Sequence, residues 1–408
     1  MKQIIFILFT CMVLIGCTLP ANNSGTGSAS DALVATNVAG TQTALGAGTP
    51  QDTPILVQNT QDPDTLLPHA LYYLSSADGE NFQVWVLSRD GTTTSRVTAE
   101  TGSVDEFAVS QADGRIAYIT NNQLHVLNST GEQHEILVDG SEANTETDEY
   151  FFTQKISGLS WSPDGSTLAY GRNGLHLYHF DTRQDEHILP NDLEDRGEGM
   201  LFPEAIYSPY QWSPDGSQLL LNIGYYEAGT LGLYTPGNPE VLKLGEGIVC
   251  CQPTWSPDSR SIVIASPYLG MVDSGLWRID TTTGIETELI PTTSQDDTLN
   301  FAGWPVVLEN GDIRYFYTNT PSFPSGEVPL LLVNSASDGV SSRTILRPDH
   351  WLNYEVLWAE DGSLAAAVQP VTGEPAGWPR TGPIVVIPPS EEPVIPLGIN
   401  GYQLQWGP

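Results

Sequence analysis

The sequence predicts an all-β fold, a single β-propeller, and three observations carry that expectation. A tryptophan-led turn motif recurs at steps of about 49 residues, the spacing of propeller blades. Each copy is followed by short apolar runs of β character, with no convincing helical pattern between them. The last copy falls at the end of the chain, and the first unit lacks one, so the two ends can complete a single blade.

The motif comes first. Its clearest copies are Trp161-Ser162-Pro163-Asp164-Gly165, Trp212-Ser213-Pro214-Asp215-Gly216 and Trp255-Ser256-Pro257-Asp258-Ser259. Weaker copies are Trp358-Ala359-Glu360-Asp361-Gly362 and Ser110-Gln111-Ala112-Asp113-Gly114. Trp304, followed after an insertion by Glu309-Asn310-Gly311, reads as a further copy. Ser-Pro-Asp-Gly suits a type I turn, in which Pro fixes φ and Gly accepts a positive φ, and the turn closes a bulged hairpin. The Trp before it supplies a large apolar surface for a neighbouring element.

The strands follow in order. After the turns come Ile116–Ile119, Leu168–Tyr170, Leu219–Leu221 and Ile262–Ala265. A second run then appears at Leu124–Leu127, Leu175–Tyr178, Leu231–Tyr234 and Leu276–Ile279. A polar turn and a last strand complete four strands per unit. The segment 71–98 reads as a blade without its first strand: Leu71–Leu74, Val84–Leu87 and Arg96–Thr98. Trp406 begins a blade that the C-terminus cuts off. Joining the two gives seven blades and leaves no exposed sheet edge. Six is the alternative if the units at Ser110 or Trp304 are not full blades.

The motif and the strand after it resemble the TolB-type propeller repeats, in register over residues 71 to 408. The resemblance implies a propeller whose repeats carry fold rather than chemistry. TolB proteins carry an additional N-terminal α/β domain, for which residues before 67 offer no counterpart, so a role in the Tol system is not implied.

Residues 1–16 read as an export signal: Lys2, then an apolar run from Ile4 to Ile15, short of the roughly 20 apolar residues a membrane span needs. Leu14-Ile15-Gly16-Cys17 resembles the lipobox of bacterial lipoproteins, which implies acylation of Cys17. Residues 17–66 are rich in Thr, Ala, Gly, Ser and Asn and read as a flexible tether. The propeller domain spans 67–408. The expected location is the cell envelope, on the outer face of the cytoplasmic membrane or the cell surface.

The chain has 49 acidic and 15 basic residues, a formal charge of −34. Such a surface repels nucleic acid and anionic headgroups, so the membrane is expected to hold this protein only through the lipid on Cys17. No cofactor is implied, and the cation that such acidity favours is a divalent one such as calcium. Asp192 to Gly197 fails as a calcium loop, because Arg196 and Pro203 stand where oxygen ligands belong. Cys250 and Cys251 are adjacent, with no metal-type spacing. They are either two reduced thiols packed as small hydrophobes or a vicinal disulfide formed in an oxidising compartment.

The sequence has no G-x-S-x-G, no P-loop and no dinucleotide fingerprint. The seven His are scattered, and His176 and His179 point to opposite strand faces. The long connections are the candidate binding face. Segment 142–152 carries Tyr150 and Phe151, and segment 191–210 carries Phe202, Tyr207 and Tyr210 beside Glu194, Asp195 and Glu198. Trp351, Tyr354 and Trp378 lie in later connections. Acids beside aromatics suit a glycan or a basic peptide. The expectation is a monomeric binding or scaffold module acting through its loops on a protein, peptide or glycan. The alternative is a glycan-directed hydrolase or lyase with its site in the channel.

Overall fold

The computed structural model describes residues 65–408, apart from 132–133, 143–150, 198–200, 226–228, 245–252, 269–272, 322–327 and 372–378. Cys17, Cys250, Cys251, Tyr150 and Trp378 lie outside the described residues, as do the signal and most of the tether.

Seven four-stranded antiparallel blades follow one another in chain order. Blade one is Val104–Val109, Ile116–Thr120, Gln123–Leu127 and His134–Asp139. Blade two is Ser157–Trp161, Thr167–Gly171, Gly174–His179 and Gln184–Pro190. Blade three is Leu201–Trp212, Leu219–Gly224, Gly229–Tyr234 and Val241–Leu244, with Asp192–Asp195 paired beside Leu201–Ala205. Blade four is Thr254–Trp255, Ser261–Ser266, Gly275–Asp280 and Glu286–Ile290. Blade five is Leu299–Val307, Ile313–Thr320, Leu330–Ser335 and Thr344–Trp351. Blade six is Glu355–Trp358, Ala365–Val368, Gly382–Ile387 and the start of Ile395–Trp406. A single helical turn, Phe151–Gln154, joins blades one and two.

Blade seven is made from both ends of the chain. The strand Ile395–Trp406 pairs first with blade six (Ile395 opposite Val386, Gly401 opposite Gly382). It then pairs with Leu71–Ser75 (Tyr402 opposite Leu74, Trp406 opposite Leu71). Gln83–Leu87 and Thr94–Arg96 complete the blade. Gly401 sits where the strand changes partners. A Cβ there would lie 2.5 Å from the Leu74 carbonyl oxygen, so a side chain would force the strands apart.

Seven separate apolar clusters lie between the blades, one at each of the seven interfaces. This explains the continuous apolar strands. Leu219, Leu221 and Ile223 face blade two, while Leu220 between them faces blade four. Alternate side chains therefore enter different cores, and both faces of the strand are buried.

The repeated motif holds the turn and the interface together. Gly165 donates its N–H to Ser162 O at 2.8 Å and takes φ +70°. Asp164 accepts from the Ser162 hydroxyl at 2.6 Å and the Ser166 N–H at 2.9 Å, and these bonds hold its carboxyl below the usual range. Asp215 and Asp258 repeat the arrangement with Ser213 and Ser256, and Asp361 accepts from the Ser363 N–H. Ser259 stands where the other copies have Gly, at φ +61°, and its hydroxyl accepts from the Asp215 N–H of blade three.

The motif tryptophans reach backward across the ring. Trp161 Nε1 donates to Ala108 O, Trp212 Nε1 to Ser160 O, Trp358 Nε1 to Trp304 O and Trp406 Nε1 to Trp358 O. Trp304 itself does not occupy the motif position. Val307 does, opposite Ile313 as Trp161 is opposite Leu168, because the turn at Leu308–Gly311 begins one residue later. Trp304 sits three residues earlier in a bulge, at φ +49°. Gly158 and Gln403 occupy the same place in blades two and seven, at φ +70° and +54°.

A candidate ligand cavity in the channel

The bulges in blades two and seven free two successive backbone N–H groups from sheet pairing. Carboxylates of the preceding blade capture them. Glu106 accepts from Gly158 N at 2.9 Å and Leu159 N at 2.7 Å. Glu355 accepts from Gln403 N at 2.7 Å and Leu404 N at 2.6 Å. Glu106 and Glu355 occupy equivalent positions, each four residues before the first residue of its blade's turn, Ser110 and Ala359. In both, burial raises the carboxyl pKa and the two N–H donors oppose the rise; Glu355 is pushed up to about 7.

Glu355 also borders a cavity of about 710 Å³ walled by the innermost strands of blades three to seven. Its walls are aromatic and proline-rich. Tyr210 comes from blade three, Trp255 from blade four, Trp304 and Pro305 from blade five, Tyr354 and Glu355 from blade six, and Tyr402 from blade seven. Arg380, from a connection of blade six, crosses toward blade four. Its Nη1 donates to the Tyr268 hydroxyl at 3.0 Å, and its guanidinium lies over the rings of Tyr268 and Tyr354, at 5.7 and 5.4 Å.

The electrostatics are those of a mildly acidic aromatic slot. Burial pushes the phenol of Tyr402 up to about 12, and nearby Asp105 and Glu355 add to the rise. It therefore stays protonated and serves as a hydrogen-bond donor. Tyr402 is held edge-on by Phe82 with ring centroids 5.2 Å apart. Trp255 Nε1 is buried with no hydrogen-bond partner, a donor near the cavity wall.

The loop aromatics picked from the sequence do not converge. Of those described, only Tyr210, 39% exposed, and Tyr354 line the cavity. Phe202 lies under the Arg196 guanidinium, 4.1 Å from its ring centre, near the hairpin that Asp192–Asp195 forms. Tyr207 packs against the cluster between blades two and three. Trp351 packs against the cluster between blades five and six, beneath Arg347. Phe151 begins the short helix before blade two. Sequence reasoning missed Trp255, Trp304, Glu355, Arg380 and Tyr402, the first two because they were read as structural. The repeat position shared by Glu106 and Glu355 was a usable signal for Glu355.

Neither a protein-family model nor a curated protein matches this chain. Solved structures do resemble it. One is TolB from Acinetobacter baumannii, with 18% identity over 66% of this chain and 62% of that one, TM-score 0.41. Another, from a study of two prolyl endopeptidases, has 13% identity over 84% of this chain and 51% of that one, TM-score 0.51. A third is oligogalacturonate lyase in complex with manganese, with 12% identity over 79% of this chain and 84% of that one, TM-score 0.49. The chain thus spans less than two thirds of the first two. At such identities the likeness is one of fold alone; the β-propeller rests on the strand pairing and interface cores described above.

Proposed function

We propose that this chain is a lipid-anchored binding protein of the cell envelope that takes a peptide segment of a partner into its channel cavity, without catalysis of its own. The observation that carries the reading is the cavity wall. Its volume lies in the range of ligand sites, its surface is aromatic and proline-rich, and a few polar groups converge on it. Glu355 and the Tyr210 and Tyr402 hydroxyls would meet the backbone or a basic side chain of the segment, and Trp304 and Tyr354 would pack on it. Its described lining residues include no His or Cys. The anchor is supported by the signal-like run before Cys17, and no helix among the described residues is long and apolar enough to cross a membrane.

One preparation tests both parts. The full-length Cys17→Ser protein is expected in the soluble fraction, with the unaltered chain in the membrane pellet. Tryptophan fluorescence of that variant is then titrated with arrays of short peptides and of oligosaccharides. Saturable binding of a peptide class is expected, weakened at least tenfold by Tyr210→Ala, which touches an exposed residue. Peptide binding indifferent to Tyr210→Ala, or no peptide binding at all, would overturn the cavity assignment. Cleavage of an oligosaccharide would establish the hydrolase or lyase alternative, with Glu355 as the candidate acid. A variant that stays in the pellet would refute the anchor.

A further inference from the structure

We propose that Glu100, His125 and His134 form a site for a divalent transition metal of the Zn²⁺ class, at the junction of blades seven and one. Glu100 lies on the connection between Thr94–Arg96 of blade seven and Val104–Val109 of blade one. His125 is on the third strand of blade one and His134 on its outermost strand. One nitrogen of each His and a carboxylate oxygen of Glu100 all lie within 4.8 Å of one another.

The rings are aimed, not merely close. His125 and His134 have centroids 4.8 Å apart and planes 11° apart, with Nδ1 of His125 2.5 Å from Nε2 of His134. That combination leaves little lateral offset, so the rings meet edge to edge, nitrogen facing nitrogen. Tyr118 completes the group: its hydroxyl donates to Glu100 Oε1 at 2.6 Å and lies 3.2 Å from His134 Nε2. A carboxylate, two imidazole nitrogens and a phenol oxygen thus converge, all of them acceptors when unprotonated. A single shared proton can bridge the two imidazoles, but a cation satisfies the set. His125 is only 4% exposed, and its other nitrogen, Nε2, has no partner.

To hold one ion the two rings must move apart and one must swing, so that their nitrogen lone pairs converge on the metal instead of facing each other. Two nitrogens on a tetrahedral zinc, at Zn–N of about 2.0–2.1 Å, stand about 3.3 Å apart. The movement falls on His134, which is exposed on an outer strand, while His125 is buried. Glu100 is part-exposed and gives a route in. Two imidazoles select against calcium and magnesium, which prefer oxygen ligands throughout. The net charge of −34 favours any cation's approach.

Blade two supplies an internal comparison. Tyr170 pairs with His176 as Tyr118 pairs with His125, but His187 stands where blade one has Ile136, and Asp185 stands where it has His134. There Asp185 takes the Tyr170 hydroxyl at 2.9 Å and lies 3.3 Å from His176 Nδ1. His187 stacks on His176, with centroids 4.4 Å apart and planes 7° apart. There the two imidazoles stack face to face instead of directing nitrogens at each other. Among the described residues, the blade-one set is the one grouping of this kind that converges.

The test is a titration of the full-length protein with Zn²⁺ in excess Ca²⁺ and Mg²⁺, which occupy oxygen-only sites. Calorimetry, thermal melting and X-ray absorption at the zinc edge are read together. We expect one Zn²⁺ per chain, a shell of nitrogen and oxygen with an imidazole signature, and a raised melting temperature by linkage. His134→Ala, at an exposed position where folding should survive, is expected to weaken binding at least tenfold and abolish the melting shift. Glu100→Gln should weaken binding, and His187→Ala should leave it unchanged. Binding that survives His134→Ala, a shell containing sulfur, or no stoichiometric binding would overturn the proposal.

Discussion

Deleting Tyr402–Pro408 should leave the chain aggregated or lower its melting temperature by roughly 10 °C or more, the largest effect expected of so short a change. The deletion removes the innermost strand of blade seven and exposes the edge of Leu71–Ser75 to other chains. It also removes Leu404 and Trp406 from the core between blades six and seven, at 4% and 8% exposure. The seam to blade one goes as well. Gln405 Oε1 accepts from Val109 N, Gln405 Nε2 donates to Phe107 O, and Gln111 Nε2 donates to Trp406 O. Calorimetry and size-exclusion chromatography check the outcome. A truncated chain that melts with the full-length protein would mean that the last strand contributes nothing to the ring. Gln405→Ala keeps the strand but leaves Val109 N and Phe107 O without their side-chain partner. Its expected cost is about 1–3 kcal/mol.

Glu355→Ala should destabilise the protein by about 2–5 kcal/mol at every pH, because it strands the N–H groups of Gln403 and Leu404 beside the closing strand. Glu355→Gln should act differently, since its amide oxygen can still accept. The carboxyl of Glu355 is raised from its ordinary 4.5 to about 7 in the fold, so the folded chain holds this proton more tightly than the unfolded chain. The stability this contributes is complete below about pH 4.5 and is lost as pH rises through about 7. Glu106 is shifted in the same direction and adds to the decline. The turn aspartates Asp164, Asp215 and Asp258 are shifted down, so their contribution fades only below their ordinary 3.8, outside this window. Urea unfolding between pH 4.5 and 8 should therefore show a shallower decline in Glu355→Gln than in the unaltered chain. Parallel curves would show that this carboxyl is not raised in the fold.

Most of the fold was legible because the repeat constrains it. Ser-Pro-Asp-Gly fixes a turn, and the unbroken apolar runs after it announce strands buried on both faces. The half-blades at Leu71 and Trp406 then had one way to close. Trp304 misled because residue type was read without register: a bulge moves it three places from the motif position, which Val307 fills. The third strand of the first unit was placed at Arg96–Thr98, but pairing ends at Arg96. There Thr98 turns in, and its hydroxyl accepts from Val84 N. The site was far less legible. Loop aromatics were favoured because loops carry function, yet the cavity is walled by inner strands, whose side chains a sequence assigns to packing. The His125–His134 contact was hidden for another reason. A strand pattern gives the face a residue occupies, but not that a register shift between Leu124 and His125 would set His134 opposite Leu127, diagonal to His125.

The ring closure is tested most directly by hydrogen exchange of the unaltered protein, followed by mass spectrometry of the peptide covering Tyr402–Pro408. The strand pairing with Leu71–Leu74 and the bond from Gly407 N to Ala70 O place these amides in the closing seam. They should exchange as slowly as amides of the buried strand Leu219–Gly224, opening only with global unfolding. Exchange at the rate of an unstructured peptide would contradict a ring closed by its own C-terminal strand.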